Sequence, residues 1–311
     1  MSAPTVYVSP SGSDANSGLT TSSPLKSVDR AVTLAGNGGT VLLQSGTYTW
    51  GNGIFNGIYL TNSTVTISGG FDAAYANQSG NSILDGAGSP TPLLLISNNS
   101  YFDTLCNLTF RNVNGGSAVR IIGGSSITFT NCGFISNSFS TDGNSVWASG
   151  IAGIGSTTFN NCSFNGNSTG SVVFGTNDFY LQINNSVLSN NSSATLIRMD
   201  GSGTLNMSSS FLYLSSSNTN GIWMDSTSSS TLNLQGNSFF VDTTNWGTAI
   251  FQPNGTSSYN DTFITNLFSQ SLANVWASTI SNITPANIGN FNLLNSVSGF
   301  IPGFDSGNAT F

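Results

Sequence analysis

The chain has no histidine and no glutamate, and its only cations are Lys26, Arg30, Arg111, Arg120 and Arg198. Its twelve acids are therefore all aspartates, and charged residues make up 5% of the sequence against roughly 25% in an ordinary globular domain. Phosphate binding needs clustered Lys and Arg, so a net charge of −7 with five scattered cations argues against nucleic acid. The same scarcity argues against an anionic membrane surface. Without histidine, none of the many serines has the usual base to make it a nucleophile. No Gly-rich loop follows a strand and opens a helix, so nucleotide binding has no support. Cys106, Cys132 and Cys162 are too few for a disulfide framework and match no zinc spacing, so they read as small buried hydrophobes. Neither metal nor cofactor is expected. Apolar runs such as "PLLLI" at 92–96 are too short to cross a bilayer. The opening "MSAPTVYVSP" lacks the basic start and apolar stretch of a secretory signal. Either a mature form carries an added Met, or the protein leaves its cell in a virus particle or on lysis.

What the sequence does have is Asn, Ser, Thr and Gly for polarity, with 38% hydrophobic and 11% aromatic residues to fill a core. It also restates a phrase: "FTNCGFISNS", "FNNCSFNGNS", "INNSVLSNNS". Taking Phe110, Phe134, Phe164, Leu188, Leu212, Phe239 and Phe263 as anchors, the steps are 24, 30, 24, 24, 27 and 24 residues. Such a period marks a solenoid. Apolar residues recur five before the anchors (Leu105, Phe129, Phe159, Ile183, Met207, Leu234) and seven before (Ile127, Leu181, Leu205, Leu232), which is strand alternation. Three before come Asn107, Asn131, Asn161, Asn185 and Asn260, with Ser209 and Gly236 in the other two turns. Three after, a looser series appears in Asn137, Asn167, Asn191 and Asn266. In a coil of parallel strands each turn lies about 4.8 Å above the last, so an amide at a fixed corner meets its counterpart and pairs with it. Cys132 and Cys162, both two before an anchor, become neighbours along such a stack.

The expected fold is all-β: residues 1–270 form a single-stranded right-handed parallel β-helix with an N-terminal cap, its roughly ten turns fitting into residues 40–270. A capping helix at about 24–35 closes its start, with Ser23 as N-cap, Pro24 in the first helical position and Gly36 as stop. Leu25, Val28, Ala31, Val32 and Ala35 form the apolar stripe of this helix. The insertions at 138–149 and 215–221 are expected to be loops. Residues 271–311 break the repeat and read as an irregular C-terminal cap or an oligomerisation segment.

Residues 7–48, "YVSPSGSDANSGLTTSSPLKSVDRAVTLAGNGGTVLLQSGTY", resemble the opening of right-handed parallel β-helix proteins of the pectin-lyase-like superfamily. "SILDG" at 82–86 and the asparagine columns are similar to that superfamily's turns. The resemblance covers about the first 270 residues and implies a fold shared by lyases, hydrolases, phage tailspikes, adhesins and inert scaffolds. Its hydrolases imply paired or triple Asp near a His, and this chain has neither an Asp-Asp pair nor a His.

The remaining catalytic candidates are Arg198, Asp200 and Asp225: the first two share a strand face and the third falls about one turn further on. A plain ion pair is the simpler reading of them. Asp14 in "GSDANSG" is a candidate for a cation site. Trp147 and Trp223 are candidates for stacking on sugar rings. Asn62, Asn77, Asn167, Asn254 and Asn308 head sequons and are glycosylation candidates. Ice binding would need a flat, regular threonine array, and threonine looks scattered, with no steady Thr-x-Thr column. These readings converge on a structural or adhesive surface protein, extracellular or on a virion, that self-associates as a trimer or filament and meets a glycan receptor. A polysaccharide-degrading β-helix enzyme is the alternative.

Overall fold

The computed structural model describes residues 3–51, 57–97, 103–138, 144–149, 155–168, 170–177, 179–215, 218, 220–225 and 230–241, and the strands at 249–254, 262–264, 267–268 and 293–294. Within them the chain climbs through three parallel sheets. One turn consists of Ser126–Thr130, Gly133–Ile135 and Asn144–Ser149. The next repeats it with Ser156–Asn160, Ser163–Asn165 and Ser171–Thr176. The first and second sheets have ten strands each and the third has eight. This is the parallel β-helix that the repeat and the resemblance imply. The eight strands of the third sheet limit complete three-strand turns to eight among the described residues, fewer than the ten expected. At the start, Thr5–Val8 extends the first sheet without completing a turn.

Pairing is in register from turn to turn, so like residues meet. Phe129 pairs with Leu105 below and Phe159 above, and Phe134 with Phe110 and Phe164. Their rings point inward and stack at centroid distances of 5.4 Å (Phe110–Phe134), 4.7 Å (Phe134–Phe164) and 5.2 Å (Phe129–Phe159). Edge contacts such as Phe129–Phe134, at 5.4 Å and 76°, tie the two columns together. All five rings are fully buried, each contributing about 1.5–3 kcal/mol by burial.

The corner between the first and second strands explains the asparagine of the phrase. Asn107, Asn131 and Asn161 each have φ 54°, Asn185 has 48°, Ser209 49° and Gly236 62°. This left-handed conformation is one that Asn and Gly tolerate better than branched residues. The side chains of Asn131, Asn161 and Asn185 are exposed, and the backbone carries the stacking. Asn131 N–H donates to the Asn160 carbonyl at 2.9 Å, Asn161 to Asn184 at 3.0 Å and Asn185 to Ser208 at 3.0 Å. One amide link joins the column, from Asn131 Nδ2 to Asn107 Oδ1 at 3.1 Å. Asn260 lies outside the described residues.

The continuous amide ladder lies elsewhere, in the buried series after the anchors. Asn137 donates its backbone N–H (3.1 Å) and its Nδ2 (3.2 Å) to Asn167 Oδ1. Asn167 repeats both bonds to Asn191 Oδ1, at 3.0 and 2.9 Å. Each amide also donates inward to an anchor carbonyl, Asn137 to Phe110 at 3.2 Å, Asn167 to Phe134 at 2.8 Å and Asn191 to Phe164 at 3.0 Å. A third column holds Cys132 and Cys162, which are buried, free and in matching places. Above them Ser186, Ser210 and Asn237 take over, with Cys162 N–H donating to Ser186 Oγ at 3.0 Å and Ser210 N–H to Asn237 Oδ1 at 2.9 Å.

The capping helix forms, but later than expected. It spans Val28–Ala35, with Ser27 rather than Ser23 before it and Gly36 (φ 59°) ending it. Pro24 and Leu25 instead continue the extended approach, where Leu25 bridges to Val8. The predicted stripe is buried at all five positions. Asp14 fixes the start of the helix: its carboxylate accepts from the backbone N–H groups of Lys26 (3.0 Å) and Ser27 (2.9 Å) and from the Ser27 hydroxyl. Burial alone would raise the Asp14 carboxyl, but these bonds and the nearby Arg30 charge hold it below its ordinary value. Asp14 therefore serves the cap. Two expected loops also end as strands, since Asn144–Ser149 and Asn220–Asp225 belong to the third sheet.

Replacing Asn167 with Ala orphans buried groups on both sides, at about 1–3 kcal/mol for each. Urea unfolding should show a loss of at least that size. Asn161→Gly should be nearly neutral, since Gly236 occupies the equivalent corner, whereas Asn161→Val should cost about 1–2 kcal/mol.

Candidate functional site: the outer face of the third sheet

Strands of the third sheet alternate inward aliphatic residues with outward ones, as in Val119–Arg120–Ile121 and Ile197–Arg198–Met199. Register then lines up the outward residues. Tyr59 pairs with Leu95, Leu95 with Arg120, Arg120 with Trp147, Trp147 with Phe174, Phe174 with Arg198, and Arg198 with Trp223. Two arginines are thus interleaved with aromatic rings along one file. The Arg120 guanidinium lies 4.7 Å from the Trp147 ring centre. That of Arg198 sits between Phe174 and Trp223, at 5.5 and 5.4 Å. Such contacts are worth about 0.5–1 kcal/mol each at exposed sites, and they hold the rings and cations in fixed positions. Tyr59 and Arg120 are exposed and the others half-buried.

The sequence candidates converge here. Arg198 donates to Asp200 through Nε at 2.9 Å and Nη2 at 3.0 Å. Asp225 pairs with Asp200 in the next turn, in the register expected of it. Trp147, inside an expected loop, and Trp223, beside one, both stand on strands of the same file. Arg120 and Arg198 are three turns apart, roughly 14 Å. With its guanidinium forked onto Asp200, Arg198 has an ordinary half-exposed ion pair, and such pairs contribute about 0–1 kcal/mol.

Sequence reasoning missed the rest of the file: Tyr59, Leu95, Phe174 and the seat of Arg120 on Trp147. The signal was present, since Arg120, Trp147, Phe174, Arg198 and Trp223 follow one another at steps of 27, 27, 24 and 25 residues. The anchors tracked only two strands per turn, so this third series went unread.

Other polar clusters have structural work. The aspartate of "SILDG", Asp85, accepts from Arg111 Nε at 2.7 Å, from the Ala87 N–H at 2.9 Å and from Asn112 Nδ2. Burial would raise its carboxyl, and these donors together hold it below the usual value. Among the described residues, no three His, Cys, Asp or Glu side chains come together as a metal site. Of the glycosylation candidates, Asn62 and Asn77 are exposed, and Asn77 Nδ2 donates to Asp72 at 2.8 Å. Asn167 is fully buried in the amide ladder, so its sequon cannot carry a glycan in the folded chain. Asn254 is described only as the last residue of the strand Ala249–Asn254, and Asn308 lies outside the described residues. No described helix is long and apolar enough to cross a membrane.

Among solved structures, the chain is similar to the crystal structure of pectate lyase Pel9A, with 14% identity and a TM-score of 0.45. The match covers 92% of this chain and 82% of that one. No family model matches the chain, and no curated protein does.

Asp103 stands apart as a carboxylate inside the coil. It is fully buried and stacks below Ile127, and its Oδ1 accepts from Val65 N–H at 2.8 Å. Burial pushes its pKa up to about 6, which the Val65 bond only partly opposes. A carboxyl whose folded value exceeds its unfolded one favours folding while protonated, and that benefit disappears as pH rises through the folded value. Stability should therefore fall by on the order of 2–3 kcal/mol between about pH 4 and pH 7, a window in which the chain has no histidine to titrate. Urea midpoints across this range should show the decline in the native chain and a flatter profile for Asp103→Asn.

Proposed function

We propose that this protein is a glycan-contacting β-helix whose third sheet is the contact face and which binds without cleaving. The observation that supports this most is the file running from Tyr59 to Trp223, in which, apart from Leu95, aromatic rings and guanidinium groups recur at the rise of one turn. A sugar ring offers an apolar face to an aromatic ring and hydroxyls or carboxylates to an arginine. A polysaccharide lying along the coil axis would meet these groups in succession. Arg120, seated on Trp147 and lacking a carboxylate partner among the described residues, suits an acidic sugar best.

An exterior setting, on a virion or a cell surface, and assembly into trimers or filaments belong to the same proposal. They are supported by a surface whose polarity is amide and hydroxyl, which changes little with pH or salt. The second reading, a polysaccharide lyase, is favoured by one observation: Asp200 and Asp225 lie in register beside Arg198. Against it, Arg198 is committed to Asp200, and a guanidinium is not deprotonated at ordinary pH.

A panel of acidic and neutral glycans separates the two readings. Binding should be retained on at least one acidic glycan without release of unsaturated or reducing ends, with or without calcium. Trp147→Ala and Arg120→Ala should each weaken it by about ten-fold, near 1.4 kcal/mol. Product release that is lost in Arg198→Ala would establish the lyase, and no binding to any member would remove the glycan reading altogether.

A further inference from the structure

The outer face of the first sheet carries a file that the sequence reading did not see. Thr5 pairs with Thr40, Thr40 with Thr66, Thr66 with Thr104, Thr104 with Thr128, and Thr128 with Thr158. Six consecutive strands of the sheet thus place a threonine at one outward position, so threonine is scattered in sequence but not in space. Thr5 is exposed and the other five are half-exposed, while their strand neighbours Val6, Val41, Ile67, Leu105, Ile127, Phe129 and Phe159 point into the core. The file beside it runs Tyr7, Leu42, Ser68, Cys106, Thr130 and Asn160, and no outward position of these six strands is charged.

From Asn160, on the last strand of the file, onward the same sheet differs. Asn184 donates to Asn160 at 2.9 Å, Ser208 to Asn184 at 2.8 Å and Asn233 to Asn206 at 2.6 Å, so those polar groups are spent on one another. No protein hydrogen bond engages the hydroxyls of the threonine file among the described residues. A β-branched side chain has a restricted χ1 in a strand, so each threonine of the file offers a methyl and a hydroxyl with little freedom, repeated at about 4.8 Å spacing. The paired backbone of every turn fixes that spacing before any ligand arrives.

We propose that this threonine file binds the surface of ice. The occupant is chosen by three features together. The groups are periodic, which suits a lattice rather than a single molecule. They are uncharged, which matches a neutral solid. Each offers a hydroxyl that joins a water network and a methyl that seats in a gap of it, and the rigid coil removes the ordering cost that a flexible array would incur.

The test is ice recrystallisation with the full chain in dilute buffer. The native protein should arrest grain growth at micromolar concentration. Thr104→Tyr/Thr128→Tyr should raise the concentration needed by ten-fold or more, with circular dichroism and urea midpoint unchanged. Should that pair disturb folding, Thr104→Ser/Thr128→Ser keeps the hydroxyls, removes only outward methyls and should still weaken arrest several-fold. Trp147→Ala, on the other face, should leave it unaltered. Absence of arrest by the native chain, or full arrest by folded threonine variants, overturns the proposal. So does threonine-dependent capture on crystalline cellulose or chitin without any effect on ice.

Discussion

In a coil of parallel turns, the nearest neighbour of a side chain is the side chain at the same place one turn away. Everything unusual in the composition follows from that constraint. A lysine or glutamate placed at a repeated position would face its own charge at about 4.8 Å, whereas an amide or hydroxyl both donates and accepts and can follow itself indefinitely. Phenylalanine stacks on phenylalanine. Charge is therefore confined to places where the neighbour differs: Arg120 lies under Trp147, Arg198 between Phe174 and Trp223, and Arg111 beside Asp85. Asp200 against Asp225 is the exception in register, and there an arginine stands on the same strand.

Much of this was legible in the sequence because stacking forces a period. The anchors, the inward Phe and Leu columns and the apolar stripe of the helix all fall where the spacing puts them. What could not be read was the division of labour between two asparagine series. Asn131 and Asn167 look alike in a string of letters, yet one is retained for a left-handed backbone and the other for a buried amide with four bonds. Backbone angle and burial are properties of the closed turn, and the more regular series proved the less engaged. The helix start moved for a similar reason: Asp14, far away in sequence, supplies acceptors at Lys26 and Ser27 that no local capping pattern announces.

The site was legible in its members but not in its arrangement. Arg198, Asp200, Trp147 and Trp223 were singled out for unrelated reasons, two as ions and two as rings, and only the third sheet joins them. The threonine file was lost because its steps vary from 24 to 38 residues, from Thr104 to Thr128 and from Thr66 to Thr104, as loops of unequal length intervene between turns. Sheet pairing ignores loop length, and a fixed period does not.

The buried sequon at Asn167 has a consequence for making the protein. Oligosaccharide transfer acts on extended chain, and here the acceptor nitrogen becomes the donor to Phe134 and Asn191 once the coil closes. Winding and modification therefore compete for one atom. In a compartment that decorates nascent polypeptides, a molecule modified first could not complete the ladder, so yield would be set by how quickly the neighbouring turns wind shut.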